Sequence, residues 1–117
     1  MKLEWVRQYC IGMPHATEEV LWGNDLVFKI GGKMFAAVAL EPAKVCLAFK
    51  CSPEDFAELV ERPGVIPAPY SARAKWVALE RPDALGRAEL QALLKKAYAL
   101  IFAKLTRKMQ AELGAKP

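Results

Sequence analysis

The chain has 117 residues, 54% of them hydrophobic and 26% charged, with a formal charge of +4. That is one domain's length with the composition of a water-soluble globular protein, and no apolar run approaches the roughly 20 residues of a membrane span. The N-terminal Met1-Lys2-Leu3-Glu4-Trp5 lacks the pattern of a secretory or transit peptide, so a single cytoplasmic domain over residues 1–117, without membrane attachment, is the expectation.

In chain order, Leu3, Val6 and Cys10 recur at helical spacing before Gly12 and Pro14, which predicts a short first helix. Met13 to Thr17 reads as a connector. Glu18 to Trp22 reads as an edge strand leading into a turn at Gly23-Asn24-Asp25. The strongest local signal follows: Asp25 to Ile30 and Lys33 to Val38 are β-prone runs separated by Gly31-Gly32, the pair that a type I′ hairpin turn favours. A regular hairpin would set Phe28 opposite Phe35 and Leu26 opposite Ala37, with Val27, Lys29, Met34, Ala36 and Val38 on the other face. After a turn at Glu41-Pro42-Ala43, Lys44 to Lys50 has a period of two. It predicts a strand with Val45, Leu47 and Phe49 packed and Lys44, Cys46, Ala48 and Lys50 on a partly basic side.

Ser52-Pro53-Glu54-Asp55 is a helix start, with a serine cap, proline in the first turn and two acids beside it. Phe56, Leu59 and Val60 give that helix its apolar stripe, and Pro63-Gly64 stops it near Glu61-Arg62. Val65 to Ser71, with Pro67 and Pro69, reads as an extended loop, and Lys75 to Glu80 as a further strand. From Gly86 a long helix is expected, with Leu90, Leu93, Leu94, Ala97, Tyr98, Ile101, Phe102 and Leu105 on one face and the last turns projecting or frayed. Residues 85–117 carry seven bases against two acids, so the net positive charge is concentrated there.

Catalytic signals are weak. His15 is the single histidine, and no serine or cysteine sits in a nucleophile motif. Glu18 and Glu19 point to opposite faces of a strand, which argues against a paired acid and base. Cys10, Cys46 and Cys51 lie on separate segments without C-x-x-C spacing, so reduced, mostly buried thiols are expected rather than disulfides or a metal site. The chain therefore reads as a non-enzyme without a cofactor. One constellation is suggestive: Lys29, Lys33, Lys44 and Lys50 decorate the hairpin and its neighbour, while Arg73, Lys75 and Trp76 open the later strand. Strand-borne lysines suit phosphate contact, and they equally protect a sheet edge from aggregation.

Several segments together carry a resemblance. Tyr9-Cys10 to Pro14, Trp22-Gly23-Asn24, Leu26 to Phe35, Lys50-Cys51, Pro63-Gly64-Val65, Pro69-Tyr70, Lys75-Trp76 and the Leu90 to Tyr98 helix are similar to the small bacterial MmcQ/YjbR-like proteins over nearly the whole chain. The resemblance implies an α+β, CyaY-like fold, an antiparallel sheet with helices packed on one face. It also implies a double-wing DNA-binding protein, whose β-hairpins act as wings, and it makes Lys29, Lys33, Lys75 and Trp76 nucleic-acid-binding candidates, to which Arg73 is added from the chain's own basic segment. At Ser71 to Trp76 the chain departs from the relatives' His-Met-Asn-Lys run before the tryptophan. Backbone contact through Arg73 and Lys75 is the mode this leaves. The expected partner is double-stranded DNA, bound by a monomer. The alternative is a non-catalytic module that takes a protein or small ligand in an aromatic groove of Trp22, Tyr70 and Trp76.

Overall fold

The Gly31-Gly32 turn forms where the sequence places it, with both glycines in the left-handed region at φ +60° and +82°. It joins β2 (Asp25–Ile30) to β3 (Lys33–Ala39), the centre of one half of an antiparallel sheet in a computed structural model that describes residues 3–69 and 71–114. The remaining strands are β1 (Thr17–Leu21), β4 (Leu47–Lys50), β5 (Val65–Pro67) and β6 (Trp76–Leu79). The strand order is β1-β2-β3-β4-β6-β5. Four helices accompany the sheet: α1 (Glu4–Ile11), α2 (Pro53–Leu59), α3 (Arg87–Phe102) and α4 (Arg107–Gly114). This is the expected α+β fold. Among the described residues no helix is long and apolar enough to cross a membrane.

One irregularity decides which side chains face where. Near the turn the pairing is regular, Ile30 with Lys33 and Lys29 with Met34, but a bulge then shifts the register by one residue, so that Phe28 pairs with Ala36 and Leu26 with Val38. The expected Phe28–Phe35 pairing is thereby corrected. The extra residue on β3 keeps Phe28 and Phe35 in one core, their ring centroids 6.4 Å apart, and turns Ala36 and Val38 inward as well. A one-residue slip exchanges the faces of a strand. Ala36 and Val38 thus leave the face assigned to them, and Ala37 takes their place.

The main core lies between the sheet and the helices. Phe28, Ile30, Phe35, Leu47, Phe49, Val77 and Leu79 meet Leu90, Leu94, Ala97 and Ile101 of α3, all deeply buried. Each large apolar side chain so buried contributes about 1.5–3 kcal/mol of transfer free energy. Ser52 caps α2, its hydroxyl accepting from the Asp55 N–H at 3.1 Å.

Three other expectations need correction. Val65 to Pro67 is an edge strand rather than a loop, and Pro67 is tolerated there because an edge residue can spare its N–H. The strand after Pro42 begins at Leu47, and Val45 packs with Ala48, Trp76 and Ala78 on the open side instead of with Leu47 and Phe49. Residues 107–114 do not project: α3 ends at Phe102, Thr106 Oγ1 accepts from the Met109 N–H, and α4 packs Met109 and Leu113 back on the core. The Gln110 side-chain amide donates to the carbonyls of Ala103 and Leu105 and so ties α4 to the end of α3.

Candidate functional site

The face of the sheet away from the helices carries a row of small side chains. Across β3, β4 and β6 the register sets Ala37 beside Ala48 and Ala48 beside Ala78, continued by Val27 on β2 and Ile66 on β5. Ala37 and Ala48 leave a depression in a surface where larger residues would fill it. The result is a trough of about 660 Å³ with Ala37, Ala48 and Ala68 in its lining. Met34, Val45 and Trp76 add apolar walls, and Asp25 is the charged residue among the lining groups. Trp22 overhangs it from the β1–β2 turn, 69% exposed and at φ +55°. A bulky residue in the left-handed region is an outlier, and such strain tends to gather at functional sites. Trp22 and Trp76 of the expected aromatic groove do share this trough. Tyr70 lies outside the described residues.

The second feature is a basic end of the sheet. Lys50 pairs with Trp76 at the end of β4. Extending the β4–β6 register by one residue sets Lys75 opposite Cys51, and extending the β3–β4 register by three sets Lys33 opposite Ser52, so both lie just beyond Lys50 at that end, and Arg73 lies on the adjoining 3₁₀ turn, Ala72–Ala74. Lys33 and Arg73 are exposed. Lys75 takes a left-handed conformation at φ +65° and places its ammonium 5.1 Å from the centroid of Phe56. Lys29 is half-buried and its ammonium donates to Glu19 at 2.7 Å, while Glu18 on the opposite face accepts from Arg7. Trp76 is buried and serves the trough.

Lys50 is the group that sequence reasoning underrated. Its alternation with Ala48 suggests a solvated lysine, but it is only 8% exposed and donates to the Ala74 carbonyl. Burial, and then the charges of Lys104 and Lys75, hold its pKa below the ordinary lysine range. A buried ammonium whose charged neighbours include two further ammoniums makes this end strongly cationic.

Burial pushes the thiols of Cys10 and Cys51 up to about 12, which leaves them protonated at neutral pH. All three cysteines are free thiols. No group of three or more metal-ligating side chains occurs among the described residues. His15 is exposed in the connector before β1.

A helix-backed antiparallel sheet with an open, troughed face and a cationic end defines a small α+β domain. A family model for YjbR matches residues 11–100, and the chain belongs to the YjbR family. Among solved structures, Deinococcus radiodurans protein DR2400, a DUF419 domain, is similar with a TM-score of 0.83 and 27% identity, covering 93% of this chain and 85% of that one. A Pseudomonas syringae protein is similar with a TM-score of 0.71 at 21% identity, covering 86% of this chain and 98% of that one, a likeness of fold. None of the curated proteins gives a significant match.

Proposed function

We propose that this protein binds double-stranded DNA through the phosphate backbone, using the basic end of the sheet. The observation that supports this reading is the shared level of Lys33, Lys50, Arg73 and Lys75 at one end of the sheet, reached from the hairpin on one side and from the approach to β6 on the other. Charges gathered at one end follow the spacing of phosphates better than charges spread evenly over a surface. Glu19 and Asp55, acids on the neighbouring elements, are taken up by Lys29 and Lys96 at 2.7 and 3.1 Å. In this reading the hairpin tip with Lys33 is a wing, Arg73 and Lys75 are the second contact, and Lys50 and Lys104 raise the local potential. The set offers cationic groups and no side-chain amide, so backbone charge is expected to dominate binding.

The test is fluorescence anisotropy of labelled duplex DNA with a Lys33→Ala/Arg73→Ala variant, beside Lys44→Ala/Lys95→Ala, which removes the same charge from exposed positions on other parts of the surface. The first variant should weaken binding at least tenfold and the control by less than threefold. Equal losses in the two would overturn the assignment of the surface, and no binding by the unsubstituted protein at about 50 mM salt would overturn the function, because electrostatic binding is strong there.

A further inference from the structure

The trough on the open sheet face has no part in phosphate binding, and its chemistry points elsewhere. We propose that it is a binding site for a small organic cation, an amine on a flat apolar body. Three observations converge. The volume of about 660 Å³ falls in the range of small-molecule sites, and the lining is apolar with Asp25 as its charged member. The Asp25 carboxylate makes no hydrogen bond or ion pair with another described residue, so an incoming ammonium would be its first partner. Trp22 and Trp76 offer two indole surfaces to the same space, and indole faces attract cations as well as flat apolar groups.

The orientation of the ligand follows from charge. Asp25 begins β2, whereas Lys50 and Lys75 stand at the opposite end of the sheet beside Trp76. Neither lysine lines the trough, so the charge of its lining is confined to the Asp25 end, which is negative. The amine lies at the Asp25 and Trp22 end, and the apolar body extends over Ala37 and Ala48 toward Met34 and Trp76. The alanine floor admits a ring where larger side chains would exclude it. A carboxylate in place of the amine would meet Asp25 and be repelled.

The probes are tryptamine, 3-ethylindole and indole-3-propionate, which share a ring and differ in the charge of a short chain. Binding is followed by protein NMR shifts up to 10 mM probe. Tryptamine should bind at least tenfold more tightly than indole-3-propionate, with 3-ethylindole between them. Asp25→Asn should remove the preference for the amine, and Ala37→Leu should abolish binding of all three by filling the floor. Trp22→Ala, at an exposed turn position, is a second variant should Asp25→Asn fail to fold, and should weaken tryptamine at least fivefold. Equal binding of amine and acid, or no tryptamine binding by the unsubstituted protein, would overturn the proposal. Lys33→Ala/Arg73→Ala should leave tryptamine binding unchanged and Asp25→Asn should leave DNA affinity unchanged, so failure of either site is read separately from the other.

Discussion

Replacing Val38 by alanine and Ala37 by valine in separate variants asks directly whether the β3 bulge exists. Without it, Val38 would lie on the open face and Ala37 in the core; with it, Val38 is 4% exposed in the main core and Ala37 lines the trough. Val38→Ala removes two buried methyl groups, about 1.6 kcal/mol at roughly 0.8 kcal/mol per group. The void left beside Leu3, Leu26 and Leu47 adds about 1 kcal/mol, for a total of about 2–3 kcal/mol. Ala37→Val adds volume over an open trough in a strand that favours branched residues, so its effect should stay within about 0.5 kcal/mol. Urea unfolding of the two variants measures both, with a thermal shift of roughly 3–6 °C per kcal/mol as a check for a chain of this length. A Val38→Ala cost below about 0.5 kcal/mol together with an Ala37→Val cost above about 1.5 kcal/mol would refute the bulged register.

The two glycines of the turn should respond differently. A Cβ on Gly31 would stand 2.7 Å from side-chain atoms of Leu105 and Met109, while one on Gly32 meets nothing within 4 Å. Both alanine substitutions carry the left-handed backbone cost of about 1–2 kcal/mol, and Gly31→Ala should cost about 1 kcal/mol more in urea unfolding, because Leu105 is buried and must give way. Lys50→Met should stabilise the protein at pH 7 and lose that advantage as the pH rises. The Lys50 pKa is lowered on folding, so the unfolded chain holds the proton more tightly, and the penalty disappears between the lowered value and the ordinary lysine value of about 10.4. Unfolding curves of the two proteins at pH 7 and pH 10 give the comparison, and an advantage that grows with pH would contradict it. Ser52→Ala should cost about 1 kcal/mol through loss of the α2 cap, measured by the same unfolding curves, and Ser52→Asp should restore most of it.

Much of the fold was legible because local signals agreed with the global arrangement. Gly31-Gly32 announced the hairpin, Ser52-Pro53 announced α2, and the Leu90 to Ile101 stripe announced the helix that covers the sheet. The bulge was not legible. Phe35, Ala36 and Val38 are all acceptable on either face by polarity, and packing in the core between the sheet and the helices decides among them. Pro67 and Pro69 masked β5, because proline in a short run signals a loop unless the run is known to sit at an edge. The candidate site was half visible. Trp22 and Trp76 could be named as groove residues and Lys33, Arg73 and Lys75 as basic ones. Ala37 and Ala48 form a floor only once the β3–β4 register brings them abreast, and that juxtaposition leaves no mark in any one segment. Lys50 was misread for the same reason, since strand alternation gives a face but not the 3₁₀ turn that covers it.

The central claim, that the cationic end of the sheet holds a phosphate backbone, is tested most directly by the salt dependence of DNA affinity. The logarithm of the binding constant should fall steeply and linearly with the logarithm of salt concentration, by about 0.9 for each phosphate contacted. Lys33→Ala/Arg73→Ala should make that slope shallower by roughly 2, while Lys44→Ala/Lys95→Ala leaves it unchanged. A flat salt dependence, or identical slopes for the protein and the Lys33→Ala/Arg73→Ala variant, would contradict the account.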